Sequence, residues 1–285
     1  EPVSARLERF AALPPISAVV YGMLGEVGYQ WLQLDQARRH ILRALRLSTL
    51  GGYNSGMSFC RVLLSRLSQL EGDLEAAARE IQKAVDLIQG QVPDDVRREV
   101  VSQQVRVYLA RNRPAAAEMA LQGQGFSFRD EFSFPDLSPD QSIPHALGLM
   151  YNSSLHVLLY RARAGRDLVS LKPGIALAGR LIRGALQGQY RIVALEALLL
   201  RAQMHAALGD DEAGWADYVH ALELAEPEGF IGLFVQGDPP VAQALADLVK
   251  GNRLGSVAPD YVRRILAAFA RPDLSGTSTP SGTPS

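Results

Sequence analysis

The sequence predicts an all-α protein made of helix pairs stacked one on another, and three observations predict it. A layout of helix, short break and helix recurs along the chain. The second helices of the copies carry matching small and large residues. The 285 residues are 47% hydrophobic, enough for a real core, and almost none of them shows the alternation a half-buried strand requires. That length admits one or two ordinary domains or one extended repeat array.

The first copy, "YGMLGEVGYQWLQLDQARRHILRALRLS" (21–48), holds a helix, a break at Trp31–Leu34 and a second helix. "RVLLSRLSQLEGDLEAAAREIQKAVDLIQ" (61–89) repeats it with Gly72-Asp73 at the break. A weaker copy at 100–121 breaks at Asn112-Arg113-Pro114, where proline suits the first turn of a second helix. "LLLRAQMHAALGDDEAGWADYVHALELA" (198–225) breaks at Gly209-Asp210. In the second helices Ala37, Ile41 and Ala44 align with Ala77, Ile81 and Ala84, and with Gly214, Tyr218 and Ala221. Steps of four and three place each trio on one stripe, where small residues admit a neighbouring helix and the large one fills the gap. Breaks about 40 residues apart, against roughly 34 in an ideal tetratricopeptide repeat, mark the motif as degenerate. The expected fold is therefore all-α, with tetratricopeptide-like helix-pair repeats stacked into a superhelix; a generic antiparallel bundle is the alternative.

Between 122 and 145 the helical pattern stops at "GQGFSFRDEFSFPDLSPDQSIP", with Phe126, Phe128, Phe132 and Phe134 alternating as extended chain would. Two readings are open for this Phe/Pro-rich insert: an anchor over the repeat stack, or a loop entering the concave groove to line a ligand site. Helices resume at 145–165 and 171–187, the latter with Pro173 in its first turn, and two short ones follow at 239–251 and 258–270. The last residues, 271–285, are Ser/Thr/Pro/Gly-rich and read as a linker. Glu1-Pro2-Val3, with no initiator Met, reads as the interior of a longer chain. The expected organisation is one superhelical domain over 1–270, with a capping segment at 226–270, followed by the linker.

The chemistry of an enzyme is missing. The lysines are Lys83, Lys172 and Lys250, and none follows a phosphate-cradling glycine loop. The histidines (His40, His145, His156, His205, His220) have no zinc spacing with one another or with the single cysteine, Cys60. Asp210-Asp211 sits in a helix break, where capping accounts for it. One cysteine and no signal peptide fit a reducing, cytoplasmic location. A formal net charge of −1 gives no electrostatic footprint for nucleic acid, and the arginines are spread over helices and offset by acids. No apolar run is long enough to span a bilayer.

Residues 191–245 contain Ala221, Leu222, Leu224, Ala225, Pro227-Glu228-Gly229-Phe230, Phe234 and Gly237. This phrase resembles the one that closes the helical-repeat region of the large LuxR-type, ATP-dependent transcriptional activators of the MalT family. "YVRRILAAF" (261–269) is similar to the family's last helix before its linker, and 25–45 and 67–84 are similar to its earlier repeats. Gly232 stands where the family often has an arginine. In physical terms the phrase is a stop: Pro227 cannot continue the helix and Gly229 admits a left-handed turn. Phe230, Ile231, Leu233 and Phe234 would then fold back over the exposed end of the last repeat, which has no neighbour to bury its face.

The resemblance implies an effector-sensing segment of a bacterial transcriptional activator. Its ATPase would lie upstream of Glu1 and its helix-turn-helix beyond Ser285, so ATP is expected only in the missing upstream module, with no cofactor in this piece. The implied partner is a small-molecule inducer or a regulatory protein; DNA would be met only through the missing C-terminal module, and self-association is open. The candidate groove residues come from the first helix of each pair: Glu26, Tyr29 and Gln30, then Arg66 and Gln69, then Arg106, then Glu196 and Gln203. Tyr151 and Asn152 join them as the polar pair after the insert. The competing reading is a free-standing scaffold for a partner's peptide, against which the lack of lysines in those first helices counts.

Overall fold

A computed structural model describes residues 14–128, 132–135, 137, 142–165, 167–236 and 239–270. The linker at 271–285, the start of the chain and parts of the insert lie outside the described residues. Thirteen α-helices form among the described residues, and the first ten are five consecutive pairs. These are α1 (Pro14–Gln30) with α2 (Leu34–Leu50), α3 (Asn54–Leu70) with α4 (Leu74–Leu87), and α5 (Asp94–Ala110) with α6 (Pro114–Gln122). After the insert come α7 (His145–Arg163) with α8 (Leu171–Gln187), then α9 (Arg191–Ala207) with α10 (Asp211–Ala225). A 3₁₀ turn (Glu226–Glu228), a single-turn α11 (Gly232–Val235), α12 (Pro239–Lys250) and α13 (Pro259–Phe269) complete the fold. The first helices start at Pro14, Asn54 and Arg191, upstream of the Tyr21, Arg61 and Leu198 at which the repeat becomes legible.

Four of the pairs share one turn. Its middle residue has positive φ in each: Leu32 (55°), Gly72 (79°), Asn112 (55°) and Gly209 (79°). The residue after it donates its N–H to a carbonyl five positions back: Gln33 to Gly28 (2.8 Å), Asp73 to Ser68 (2.9 Å), Arg113 to Tyr108 (2.8 Å) and Asp210 to His205 (3.0 Å). That bond satisfies a carbonyl the helix end would orphan. Asp73 and Asp210 then cap the next helix by accepting from Ala76 N–H at 2.8 Å and Ala213 N–H at 3.3 Å. Nothing lies within 4 Å of the place a Cβ would take on Gly209, so any cost of a side chain there is backbone alone. Gly209→Ala is expected to lower unfolding stability by about 1 kcal/mol, read by urea denaturation.

The small-large-small stripes form the pair interfaces. Ala37, Ile41, Ala44, Ala77, Ala84 and Ala221 are fully buried. Across from the first stripe, a Cβ on Gly25 would sit 2.4 Å from Ile41 Cγ1, so α1 and α2 pack closer than ordinary side chains permit.

The capping segment does more than cover the last repeat. Leu233 and Phe234 join the large core that runs from α5 to α13, as a cap would. Val235 and Ala268 instead join the core of the first repeat, with Tyr29, Ile41 and Leu67. Ile231 N–H donates to Gln30 O at 2.8 Å, and Trp31 Nε1–H donates to Glu228 O at 2.9 Å. The stack therefore curls until its last unit meets its first, and residues 226–236 are the clasp. Gly232 lies where a Cβ would come 2.6 Å from Tyr29 O and 3.1 Å from Gln30 Cα. This contact explains why the chain has no arginine there: no side chain fits.

Candidate ligand-binding site

The concave side of the stack holds a solvent-open cavity of about 670 Å³. Its walls come from the first helices of successive pairs, as side-chain periodicity requires. His156, Leu159, Tyr160 and Arg163 line it from α7, and Glu196, Leu199, Leu200 and Gln203 from α9. These steps of three and four keep each set on one helix face. Gln69 enters from α3 and Arg106 and Leu109 from α5, Leu233, Val235 and Gln236 of the clasp form a further wall, and Leu74 of α4 and Val241 of α12 complete the lining.

Glu196 sits at the inner end, with its side chain 6% exposed. Its Oε1 accepts from Arg106 Nη2 and from His156 Nε2 at 2.8 Å, and its Oε2 accepts from Asn152 Nδ2 at 3.0 Å. Arg106 also donates through Nη1 to Gln236 Oε1 at 3.2 Å, so one guanidinium ties α5, α9 and the clasp together. Burial pushes the Glu196 carboxyl up, but the Arg106 charge, the His156 hydrogen bond and charge, and Arg66 outweigh it and hold it at about 2. An anion so fixed, with both oxygens occupied, holds helices in register and is no proton donor. Because the folded value lies below the ordinary 4.5, its stabilisation is complete above that pH and is lost as pH falls toward about 2. Urea titrations across that range should show stability declining on acidification, with that component of the slope absent in Glu196→Gln.

Behind this floor Arg66 Nη1 pairs with Glu26 Oε1 at 3.4 Å, and the Tyr29 ring is fully buried among Arg66, Arg106, Glu196 and Glu26. Burial raises the Tyr29 hydroxyl well above the usual phenol range, so it stays neutral. Its OH, Gln30 Oε1, Arg66 Nε, Arg106 Nε and Gln103 Oε1 have no protein partner. Buried polar atoms of this kind are ordinarily satisfied by ordered water. Gln103 bridges pairs by donating to Ser65 Oγ (3.2 Å) and Gln69 Oε1 (3.1 Å).

Of the residues read from sequence, Gln69, Arg106, Glu196 and Gln203 line the cavity, and Glu26, Tyr29, Arg66 and Asn152 sit in the polar layer behind it. Gln30 belongs to the clasp through its carbonyl. Tyr151 is elsewhere: its ring packs edge-on against Phe126 and Phe134, and its OH donates to Pro135 O at 2.9 Å. The insert is thus an anchor. Phe126 and Phe128 are buried in the α7–α8 core, Ser127 and Ser133 pair as an isolated bridge, and none of its four phenylalanines lines the cavity. His156, Arg163 and Gln236 were missed. The first two share the helical face of Asn152, at steps of four and seven, and that periodicity could have found them.

Among the described residues no group of His, Cys, Asp or Glu could hold a metal ion, and no helix is long and apolar enough to cross a membrane. Stacked helix pairs around a polar-floored cavity define a repeat-type binding domain. The chain matches the family described as the MalT-like TPR region over residues 5–251, and it belongs to that family. No curated protein matches it.

Proposed function

We infer that the chain is the effector-sensing segment of a MalT-type transcriptional activator, with the ATPase and helix-turn-helix modules elsewhere in the full polypeptide. One observation carries this reading. The clasp that joins the last repeat to the first is also a wall of the cavity, through Leu233, Val235 and Gln236. A ligand there touches the segment whose neighbouring residues Glu228 and Ile231 hold the ring shut, so it can bind open and closed rings with different affinity. That difference is all a switch needs. The volume suits a small molecule, and a clasp across the concave face disfavours the open groove that an extended peptide requires.

The size of the native polypeptide tests the reading. An antibody raised against this chain should detect, in its source cells, a band far above 31.0 kDa. A band at the mass of this chain alone would overturn the activator and leave a free-standing scaffold.

A further inference from the structure

α1 carries an apolar stripe that no described residue covers. Ile16, Val19, Met23 and Val27 recur along it at steps of three and four, and are 61%, 42%, 54% and 38% exposed. The only charged residue of the helix, Glu26, is turned away from the stripe to Arg66 of α3. A single exposed aliphatic is ordinary, but four in one row on a helix with so little charge form a contact face.

The repeat register says what the face receives. The positive-φ turn residues Leu32, Gly72 and Asn112 stand 40 residues apart, so Met23 corresponds to Leu63 and Gln103, and Val27 to Leu67 and Val107. In the second and third pairs these positions make the joint with the pair before. Leu63 and Leu67 are buried with Tyr21 and Tyr29 of α1. Gln103 donates to Ser65 Oγ and Gln69 Oε1 of α3, and Val107 is buried with Val62 of that helix. Phe59, the counterpart of Val19, packs on Gly22, where a Cβ would come 2.9 Å from Phe59 Cε1. In the first pair the same positions are exposed. α1 thus repeats the receiving face of α3 and α5 without the helix that fills it.

We propose that this face is a stacking joint for one more helix pair of the same repeat, carried by the full polypeptide ahead of α1. Counting 40 residues back from Pro14–Gln30 places the first helix of that pair wholly before Glu1. Its chemistry follows from the joint between α1 and α3. It is an apolar helix with glycine or alanine where α1 has Gly22, so that Val19 can seat as Phe59 does. A second copy of the chain has no such face to offer: α1 and α3 are stacked within the chain, and α9, the last of the first helices, is already covered by α11 and α12. The joint rests on the activator reading, in which the full polypeptide is longer than this chain. α1 then bears the clasp at its last turn and the joint along its length, so opening the ring moves the surface on which the preceding pair sits.

Peroxide oxidation, read methionine by methionine in mass spectra of proteolytic peptides, tests the joint without any substitution. Met119, 71% exposed on α6, is the internal reference. In this chain alone Met23 is expected to oxidise within about threefold of the rate of Met119, and in the native full-length polypeptide about tenfold or more slowly than Met119, at every dilution. A benzophenone maleimide on Val19→Cys of the full-length polypeptide identifies the occupant, Cys60 being buried and inert. The expected cross-link runs to a segment ahead of Glu1 with the small-residue spacing of α1. Met23 as reactive as Met119 in a full-length polypeptide larger than this chain overturns the joint and leaves the activator reading standing. Protection lost on dilution makes the occupant a second copy, protection already present in this chain makes it a segment of the chain itself, and a cross-link to any other module makes it that module; each overturns the proposal. A native polypeptide no larger than this chain overturns the activator reading and the joint together.

Discussion

Glu196→Gln is expected to destabilise the chain by about 3–5 kcal/mol, the cost of leaving one member of a buried ion pair without its counter-charge. The side chains of Arg106 and Glu196 are only 12% and 6% exposed, so solvent cannot take over the role of the missing anion. The substitution also weakens the bonds from His156 and Asn152, which link α7 to α9. Urea unfolding measures the loss, and a double-mutant cycle with Arg106→Met apportions it. The double variant Arg106→Met/Glu196→Leu should lie closer to the wild type than either single change, since it removes both charges at once. A loss below about 1 kcal/mol in Glu196→Gln would mean that the pair is hydrated and marginal, as exposed pairs are.

The helix pairs were legible because their signals are local. The turn residues Gly72, Asn112 and Gly209 advertise positive φ by their type, and the Ala37-Ile41-Ala44 stripe recurs at a fixed offset. Leu32 takes the same backbone conformation without advertising it, being held by the Schellman-type bond of its turn and by burial. The lining of the site followed from the same periodicity: once a first helix is placed, Gln69, Arg106, Glu196 and Gln203 fall on its concave face. Gln236 could not be found that way. Its partner Arg106 is 130 residues away in sequence, and the two meet only because the stack curls shut. Tyr151 misled for the complementary reason. It neighbours Asn152 in sequence, but adjacent helical positions diverge by about 100°, and Tyr151 turns to the insert while Asn152 turns to Glu196. Gly232 looked like a departure from the resembling family until the backbone of Tyr29 and Gln30 came into view beside it.

That contact makes Gly232→Val the other large effect. The atoms a Cβ would strike, Tyr29 O and Gln30 Cα, are backbone and cannot rotate away as a side chain could. The clasp must lift, and with it go the bonds from Ile231 N–H to Gln30 O and from Trp31 Nε1–H to Glu228 O. The expected cost is about 2–4 kcal/mol, from overpacking and lost hydrogen bonds together. It should be local. The Ile231 amide is expected to exchange with solvent far faster than in the wild type, while amides in the middle of α7 and α9 keep their protection. Trp31 gives a second readout, because losing its bond to Glu228 and its place beside the clasp changes its emission. Trp215, stacked under Arg253 on the far side of α10, is replaced by phenylalanine to isolate that signal. Unchanged Ile231 exchange together with unchanged Trp31 emission would mean the ring does not depend on this contact. If the clasp lifts as expected, the wall formed by Leu233, Val235 and Gln236 lifts with it. Ligand affinity and ring closure would then have to fall together, which is the linkage a sensor requires and a passive scaffold does not.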